Sequence, residues 1–193
     1  MLLALTRSGL AAAVLALALT GCAGADSRTE LGAALISVPA DFCERLDFSL
    51  PSKVFGDPVP TPALYRSPDT VTGRKAHCDQ LYLGLSGHPG GAAVVDILIF
   101  DSADQARNGY ERFAALATAS PFTGDLPGAD FVRYRQQPTE ASIEALYGNL
   151  IIEVALRTFP DEGYEEIADE LPAVAVEFAS NVFEALGAQE GRP

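Results

Sequence analysis

The hydrophobic and polar residues from position 80 onward follow the two-residue period that is typical of β-strands. The first such segment predicts a half-buried strand with Leu81, Leu83 and Leu85 together on one face. The dipeptide Gly148-Asn149 suits the tight turn of a hairpin, so the strands around it are expected to be antiparallel. The five predicted strands lie at 80–86, 92–100, 131–136, 141–147 and 150–157.

Two segments follow the helical period of three and four residues. Asp101-Ser102 is predicted to cap the first helix, whose apolar stripe includes Tyr110. The last helix is expected to end at Gly187 and to kink or break near Leu171, because Pro172 lies inside its pattern. Its apolar stripe consists of Tyr164, Ile167, Leu171, Val174, Phe178, Val182 and Leu186.

The predicted element order is short helical turns followed by β-β-α-β-β-β-α, which is typical of an α+β domain. We expect an antiparallel sheet of about five strands with the two amphipathic helices packed on one face of it. The helical turns are predicted at 41–56, where Asp41 caps the segment and Pro51 divides it. The stretch after them is predicted to be extended surface chain, because it contains Pro58, Pro60, Pro62 and Pro68.

Residues 1–21 have the features of a targeting segment that takes no part in the fold. Arg7 supplies positive charge, and the apolar run 9–19 is too short to cross a hydrocarbon core of about 30 Å as a helix. The run ends in Leu19-Thr20-Gly21-Cys22, a lipobox, in which the Cys22 thiol would receive a diacylglyceryl group before cleavage. An ordinary secretory signal, with Cys22 incidental, is the alternative. We expect a protein anchored by lipid to the extracytoplasmic face of a cell membrane.

The remainder of the 193-residue chain is long enough for one domain with a hydrophobic core. We expect a lipidated N-terminus and tether at 22–38, a single domain at 39–187 and a tail at 188–193. The sequence of the tether is compatible with a short helix and equally with a flexible linker. The formal net charge of −13 repels nucleic acid and anionic headgroups, so a nucleic-acid partner is not expected.

The chain has three cysteines, and lipidation of Cys22 would leave Cys43 and Cys78 as an even pair. In an oxidising compartment a disulfide between them is the default. A metal or redox pair is the rival interpretation, since His77 adjoins Cys78, but the chain contains no C-x-x-C motif.

The motifs predict no catalytic, metal or cofactor site. The Gly-rich segment 84–91 lacks the ending of a phosphate-binding loop and leads into a strand, so it is predicted to be a hairpin loop. A Ser-His-Asp arrangement would need His77 or His88, both expected in loops. The acidic run 161–170 lacks the spacing of a calcium loop and is predicted to be a solvated helix face.

Three polar residues interrupt predicted strands. Asp96 lies in an otherwise apolar strand, and Arg133 and Arg135 share one face of another. They could place polar groups in a shallow ligand cavity on the sheet face that the helices leave uncovered. Alternatively, that face is wet and these residues form ion pairs across it, each worth under about 1 kcal/mol.

The segment Asp41-Phe42-Cys43-Glu44-Arg45-Leu46, the closing Gly56 and the Cys78 ahead of a strand resemble a known pattern. The chain is similar over roughly 39–187 to actinobacterial cell-envelope lipoproteins grouped as domain of unknown function 3558. It departs from them at Gln80, where an aromatic residue is common. The element order also resembles the Mog1/PsbP-like sandwich. The resemblance implies the Cys43–Cys78 disulfide and an envelope location, and it implies no catalytic residues.

The leading hypothesis is a non-enzymatic, membrane-anchored envelope lipoprotein that binds a protein partner or a small ligand through its open sheet face, without a cofactor. A carrier of a lipid or another hydrophobic ligand, held in a cavity between sheet and helices, is the alternative. A hydrolase that uses His77 or His88 is the third hypothesis. A large apolar cavity would favour the carrier, and an Asp or Ser bonded to a histidine in a cleft would favour the hydrolase.

Overall fold

The computed structural model describes residues 35–60, 63–70, 73–84, 90–114, 120–122, 124, 126–159 and 167–187, without the side chains of 63–70, 73, 114 and 121. The predicted leader, the lipobox with Cys22, most of the tether and the tail at 188–193 lie outside these residues, as do His88 and Tyr164. The helical elements are a 3-10 turn at Phe42–Arg45, α1 at Ser52–Phe55, α2 at Ala103–Ala114 and α3 at Leu171–Gly187.

The strands of the described chain form one antiparallel sheet with the spatial order β1-β2-β3-β7-β6-β5-β4. The predicted α+β class and antiparallel sheet are therefore confirmed. The five predicted strands correspond to β2, β3, β5, β6 and β7, and two more strands extend the sheet at its edges. The bounds are β1 Ala63–Thr70, β2 Gly73–Tyr82, β3 Gly91–Ile99, β4 Ser120–Pro121, β5 Phe131–Gln137, β6 Glu140–Tyr147 and β7 Leu150–Thr158.

Strand β1 corrects the prediction that the whole proline-rich stretch is unpaired surface chain. It lies at the edge of the sheet, and its register with β2 shifts between Ser67 and Thr70, on either side of Pro68. Proline has no backbone N–H to donate, so strands tolerate it at sheet edges and bulges. Both conditions hold here.

The main hydrophobic core lies between one face of the sheet and α3. We call this the core face; it carries the buried side chains of Val95, Ile143 and Ile152. Helix α3 covers it with Phe178 and Val182, both fully buried. The predicted break near Leu171 is also present, because 168–170 form a turn and α3 begins at Leu171. Pro172 is the second residue of α3. Backbone N–H groups in the first turn of a helix have no intrahelical partner, so proline is tolerated at this position.

Helix α2 corrects the expectation that both amphipathic helices pack on one face. Its buried residues Ala106 and Tyr110 pack against Leu146 and Ile151, which point away from the core face. Alternate residues of a strand point to opposite faces, and most residues of β6 and β7 are apolar on both faces. The sheet therefore has an apolar surface on both sides. A helix packs on each of them, so the layer order is helix, sheet, helix. The predicted cap of α2 is present, since Ser102 Oγ accepts a hydrogen bond from the Gln105 N–H.

The Cys43–Cys78 disulfide forms in the structure, with the two Cα atoms 5.6 Å apart. It joins the 3-10 turn to the core face of β2, and both cysteines are buried. The neighbouring Phe42 is fully buried in the same core. The predicted helical turns pinned by a disulfide are therefore confirmed.

The predicted strand at 80–86 ends early, at Tyr82, and faces the other way. Cys78 points into the core, so Gln80 and Tyr82 also point inward. Each satisfies its polar group there: Gln80 Nε2 donates to the Val59 carbonyl, and Tyr82 Oη donates to the Phe48 carbonyl at 2.8 Å. The intervening Leu81 is 44% exposed. The alternation of leucines predicted the opposite orientation of this strand. The disulfide holds Cys78 in the core and thereby fixes which face of β2 is buried.

Asn149 holds the incoming chain at the end of the sheet. It belongs to the predicted hairpin turn, which is confirmed by the pairing of Tyr147 with Leu150 and by the φ of 55° at Gly148. Its Oδ1 accepts a hydrogen bond from the Ile36 N–H at 2.7 Å, and its Nδ2 donates to the Ile36 carbonyl at 3.2 Å. The side chain is itself buried. One amide thus binds both backbone groups of a residue at the end of the predicted tether.

Candidate functional site

The face of the sheet opposite the core face contains a cavity of about 380 Å³ beside α2. We call this cavity the groove, and the sheet face that forms it the groove face. Its size falls within the range of small-molecule sites, roughly 300–1,000 Å³. Side chains from five strands and from α2 line it: Lys75, Asp96, Leu98, Phe113, Arg135, Glu144, Ile151 and Glu153.

Three carboxylates lie side by side across the middle of the groove. Asp96 on β3 is the register partner of Glu153 on β7, and Glu153 is in turn the partner of Glu144 on β6. We call these three residues the carboxylate row. Side chains directly opposite each other on antiparallel strands have Cβ atoms about 5 Å apart, where like charges repel. The sheet register therefore concentrates negative charge along a line through the groove.

The groove also has an apolar end, formed by Leu98, Ile151 and Phe113. Leu98 and Ile151 are register partners one step along the strands from the carboxylate row. The Phe113 ring reaches the groove from the last turn of α2 and is 37% exposed. The groove thus joins an apolar end to a charged middle, an arrangement that suits ligands with both kinds of surface.

Asp96 is stabilised in its charged form. Burial would raise the pKa of its carboxyl, but hydrogen bonds from Lys75 and His77 outweigh burial and leave the pKa lower than usual. Lys75 Nζ and His77 Nδ1 both lie 2.7 Å from Asp96 Oδ1. Asp96 therefore stays ionised over the physiological range.

Glu153 has the opposite shift. Burial raises the pKa of its carboxyl most, and repulsion from Asp96 and Glu140 raises it further. The attraction of Arg135 and Arg157 lowers the pKa but does not cancel these two effects. Its hydrogen bond comes from Arg135 Nη2, 3.0 Å from Glu153 Oε1. The same Nη2 also lies 2.9 Å from Glu140, so Glu153 shares its cation with a second carboxylate. The carboxylate row is therefore incompletely neutralised at its centre.

Arg133 lies behind Glu144, under α2, and does not line the groove. It forms an ion pair with Glu144, and its guanidinium carbon sits 4.2 Å from the centre of the Tyr110 ring. Tyr110 Oη and the Arg133 Nε and Nη1 atoms are buried without a hydrogen-bond partner among the described residues. Burial raises the pKa of Tyr110 despite the nearby Arg133. Arg133 therefore holds Glu144 in place and supports α2.

His77 lies in β2, not in the loop where the sequence suggested it would be. Its Nδ1 contacts Asp96 Oδ1 at 2.7 Å, and its Nε2 lies 3.6 Å from Asp79 Oδ1. The imidazole is thus held between two carboxylates on the groove face. A hydrolytic triad would instead need a nucleophilic hydroxyl at the second ring nitrogen.

The structure brings two of the three polar residues singled out from the sequence to one cavity. Asp96 and Arg135 line the groove, while Arg133 touches it through Glu144. All three residues form ion pairs across the strands, as the alternative interpretation expected. Their partners are Lys75, Glu140, Glu144 and Glu153. Three further residues of the groove, Lys75, Glu144 and Glu153, were not identified from the sequence. Pairing across the predicted Gly148-Asn149 turn would have placed the two glutamates opposite each other.

No group of three or more His, Cys, Asp and Glu residues in the described chain is arranged to hold a metal ion. Nor does any helix among those residues combine the length and the apolar character needed to cross a membrane.

The fold and the groove define an α+β domain with a disulfide-pinned N-terminal turn and a charged cavity on the sheet face opposite its core. Comparison with protein-family models found no matching family, and comparison with curated proteins found no matching relative.

Proposed function

We propose that this chain is a membrane-anchored envelope lipoprotein, and that its domain binds a partner protein or small ligand through the groove without catalysing a reaction. The groove itself carries the proposal. It is a cavity of about 380 Å³ in which charged and apolar side chains from six elements converge. Three of these side chains are carboxylates that lie opposite one another on neighbouring strands, where like charges repel.

The anchoring part of the proposal rests on the sequence alone. The apolar run 9–19 followed by Leu19-Thr20-Gly21-Cys22 supports lipid on Cys22 and a position outside the membrane. The same address agrees with the Cys43–Cys78 disulfide, since disulfides persist in oxidising compartments. The proposed kinship with the domain of unknown function 3558 lipoproteins rests on the Asp41–Leu46 segment and this same disulfide.

Cell fractionation of Cys22→Ala tests the anchor. The variant should appear in the medium or accumulate as uncleaved precursor, because it has no thiol to accept lipid. Cys43→Ala is the control for removal of a cysteine, and it should stay in the membrane fraction. Unchanged processing and membrane retention of Cys22→Ala would refute the anchor.

Photo-crosslinking in intact cells tests binding at the groove. A photoreactive residue in place of Phe113 lies at the edge of the groove, whereas the same residue in place of Glu184 lies on α3, on the other side of the sheet. The Phe113 position should give a specific product, identified by mass spectrometry, that the Glu184 position does not. Equal products, or none from Phe113, would contradict the proposal.

The lipid-carrier alternative is less well supported by the groove. The cavity lies between sheet and helix, as a carrier would require, but five of its eight lining side chains are ionisable. An acyl chain in this cavity would strip water from charges without replacing their hydrogen bonds.

The His77–Asp96 contact favours a hydrolase as a second candidate, because an aspartate bonded to one imidazole nitrogen is part of a hydrolytic triad. Ester hydrolysis by the purified chain, lost in His77→Gln and retained in the control Lys53→Gln, would support it. If the unsubstituted chain hydrolyses the ester no faster than His77→Gln does, the hydrolase is excluded.

A further inference from the structure

We propose that the groove binds a small organic cation, with a primary ammonium group at the carboxylate row and an apolar body against the apolar end. This inference rests on the proposed function, because it names the class of ligand that the groove would take. Three properties of the groove carry it: unused acceptor atoms, cations that are already engaged, and the position of the apolar end.

Each member of the carboxylate row uses only one of its two oxygens. Oδ1 of Asp96 accepts from Lys75 and His77, Oε1 of Glu153 accepts from Arg135, and Oε1 of Glu144 accepts from Arg133. Within the described part of the chain, the second oxygen of each accepts no hydrogen bond. An ammonium group has three N–H donors and no acceptor, so it matches a set of free carboxylate oxygens.

The cations that contact the carboxylate row are already engaged. Lys75 binds Asp96, Arg133 binds Glu144, and Arg135 binds Ser142, Glu140 and Glu153. An anionic ligand would have to displace these contacts, whereas a cation adds to them. Burial is the main cause of the raised pKa of Glu153, and repulsion from Asp96 and Glu140 adds to it; a cation at the row would oppose that repulsion.

The apolar end fixes where the rest of the ligand would lie. Leu98 and Ile151 form its floor directly beside Asp96 and Glu153, and Phe113 faces them from α2. A body of one aromatic ring or a short alkyl chain, attached one or two bonds from the nitrogen, would lie there while the ammonium group reaches the row. Inorganic cations have no such body and would leave this surface wet.

Three probes of one shape test the charge preference: benzylammonium, benzyl alcohol and benzoate, each titrated calorimetrically into the full chain in neutral detergent. Benzylammonium should bind at least about tenfold more tightly than the other two, as expected for charge-assisted hydrogen bonds. Equal affinities would reduce the groove to an apolar surface and overturn the inference. Tighter binding of benzoate would overturn it as well.

Two groove variants and a control locate the site. Glu153→Gln keeps the shape and an acceptor for Arg135, and should weaken benzylammonium about tenfold while leaving benzyl alcohol unchanged. Phe113→Ala removes a partly exposed ring and should weaken both probes. Glu184→Gln makes the same chemical change as Glu153→Gln on the far side of the sheet and should change neither. If Glu184→Gln weakens benzylammonium binding as much as Glu153→Gln does, the cation does not bind at the carboxylate row.

The two proposals fail in different ways. If the Phe113 position crosslinks a specific partner but benzylammonium neither binds nor competes with the product, the cation inference is wrong and the proposed binding function stands. If the Phe113 position gives no specific product while benzylammonium binds through Glu153, the groove binds cations and the proposed partner binding is wrong.

Discussion

The core face and the groove face are made by alternate residues of the same strands. On the core face, Ile152 and Val154 of β7 are fully buried in the main hydrophobic core. On the groove face, Ile151 packs under α2, and Glu153, two residues further on, projects into a cavity. A one-residue step along one strand thus separates a surface that stabilises the fold from one that carries a partly buried charge.

The difference shows that burial alone does not measure what a residue contributes. Glu153 is about two-thirds buried, yet the burial raises its pKa and makes its charge unfavourable. Truncating core-face residues should therefore lower the stability of the domain, whereas neutralising Glu153 should raise it. Stability measurements on matched variants test both halves of this statement.

Removing the disulfide should have the largest effect. Cys43 and Cys78 close a loop with a sequence separation of 35, so the Cys43→Ala/Cys78→Ala variant should lose roughly 4 kcal/mol of unfolding free energy on the chain-entropy model. Urea denaturation of oxidised protein, reduced protein and the double variant measures it. Equal midpoints for oxidised and reduced protein would contradict the prediction.

Ile152→Ala and Ile151→Ala compare the two faces at adjacent positions. Ile152 is 0% exposed in the main core, and its truncation should cost about 4 kcal/mol. Ile151, 4% exposed beneath α2 beside the groove, should cost nearer about 2 kcal/mol, because its surroundings can relax into the cavity. If the two variants have equal urea midpoints, the groove face is packed as rigidly as the core.

Tyr82→Phe removes the hydroxyl that donates to the buried Phe48 carbonyl. The variant should lose about 1–2 kcal/mol, since the carbonyl is left without this donor. Burial, with a smaller effect of Asp47, raises the pKa of Tyr82, so the phenol stays protonated at ordinary pH and the loss should not vary between pH 6 and pH 9 by more than about 0.5 kcal/mol. A pH-dependent loss in denaturation experiments would contradict this.

Glu153→Gln should have the smallest effect, and of the opposite sign. A raised pKa means that the folded state binds the proton more tightly than the unfolded state, so the contribution of Glu153 to stability is present below its ordinary pKa and is lost as the pH rises through the folded-state pKa. Glutamine mimics the protonated form. The variant should therefore gain up to about 1 kcal/mol at pH 7 and nothing at pH 4.

The control for this last prediction is Glu184→Gln, at an exposed position of α3, which should be neutral at both pH values. A loss of stability at pH 7 in Glu153→Gln would show that the ion pair with Arg135 outweighs burial and repulsion. The carboxylate row would then be a stabilising feature, and the contrast between the two faces would disappear.

Much of the fold could be predicted from local signals. The Gly148-Asn149 turn, the Ser102 cap and the position of Pro172 each depend on a few neighbouring residues, and all three predictions are confirmed. The position of α2 could not be predicted in this way. Strands that are apolar on both faces accept a helix on either side, so the choice depends on how distant elements pack.

The site was predictable only in part for a similar reason. A two-residue turn fixes the partner of every residue along its hairpin, so the pairing of Glu144 with Glu153 follows from the sequence. The pairing of Asp96 with Glu153 joins β3 to β7 across more than fifty residues, and no local signal specifies it. Without that register, Asp96 was an isolated charge in an apolar strand. With it, Asp96 is one end of the carboxylate row.

The amide of Asn149 also determines where a mechanical load would enter the domain. If Cys22 carries lipid, as proposed, any pull between membrane and domain would pass along the chain to Ile36, and from there into the turn between β6 and β7. The thirteen residues from 23 to 35 could extend to about 45 Å at most, which limits how far the groove can reach from the bilayer surface. Asn149→Ala would release Ile36 and move the point of attachment toward Val38, lengthening that reach by about 7 Å.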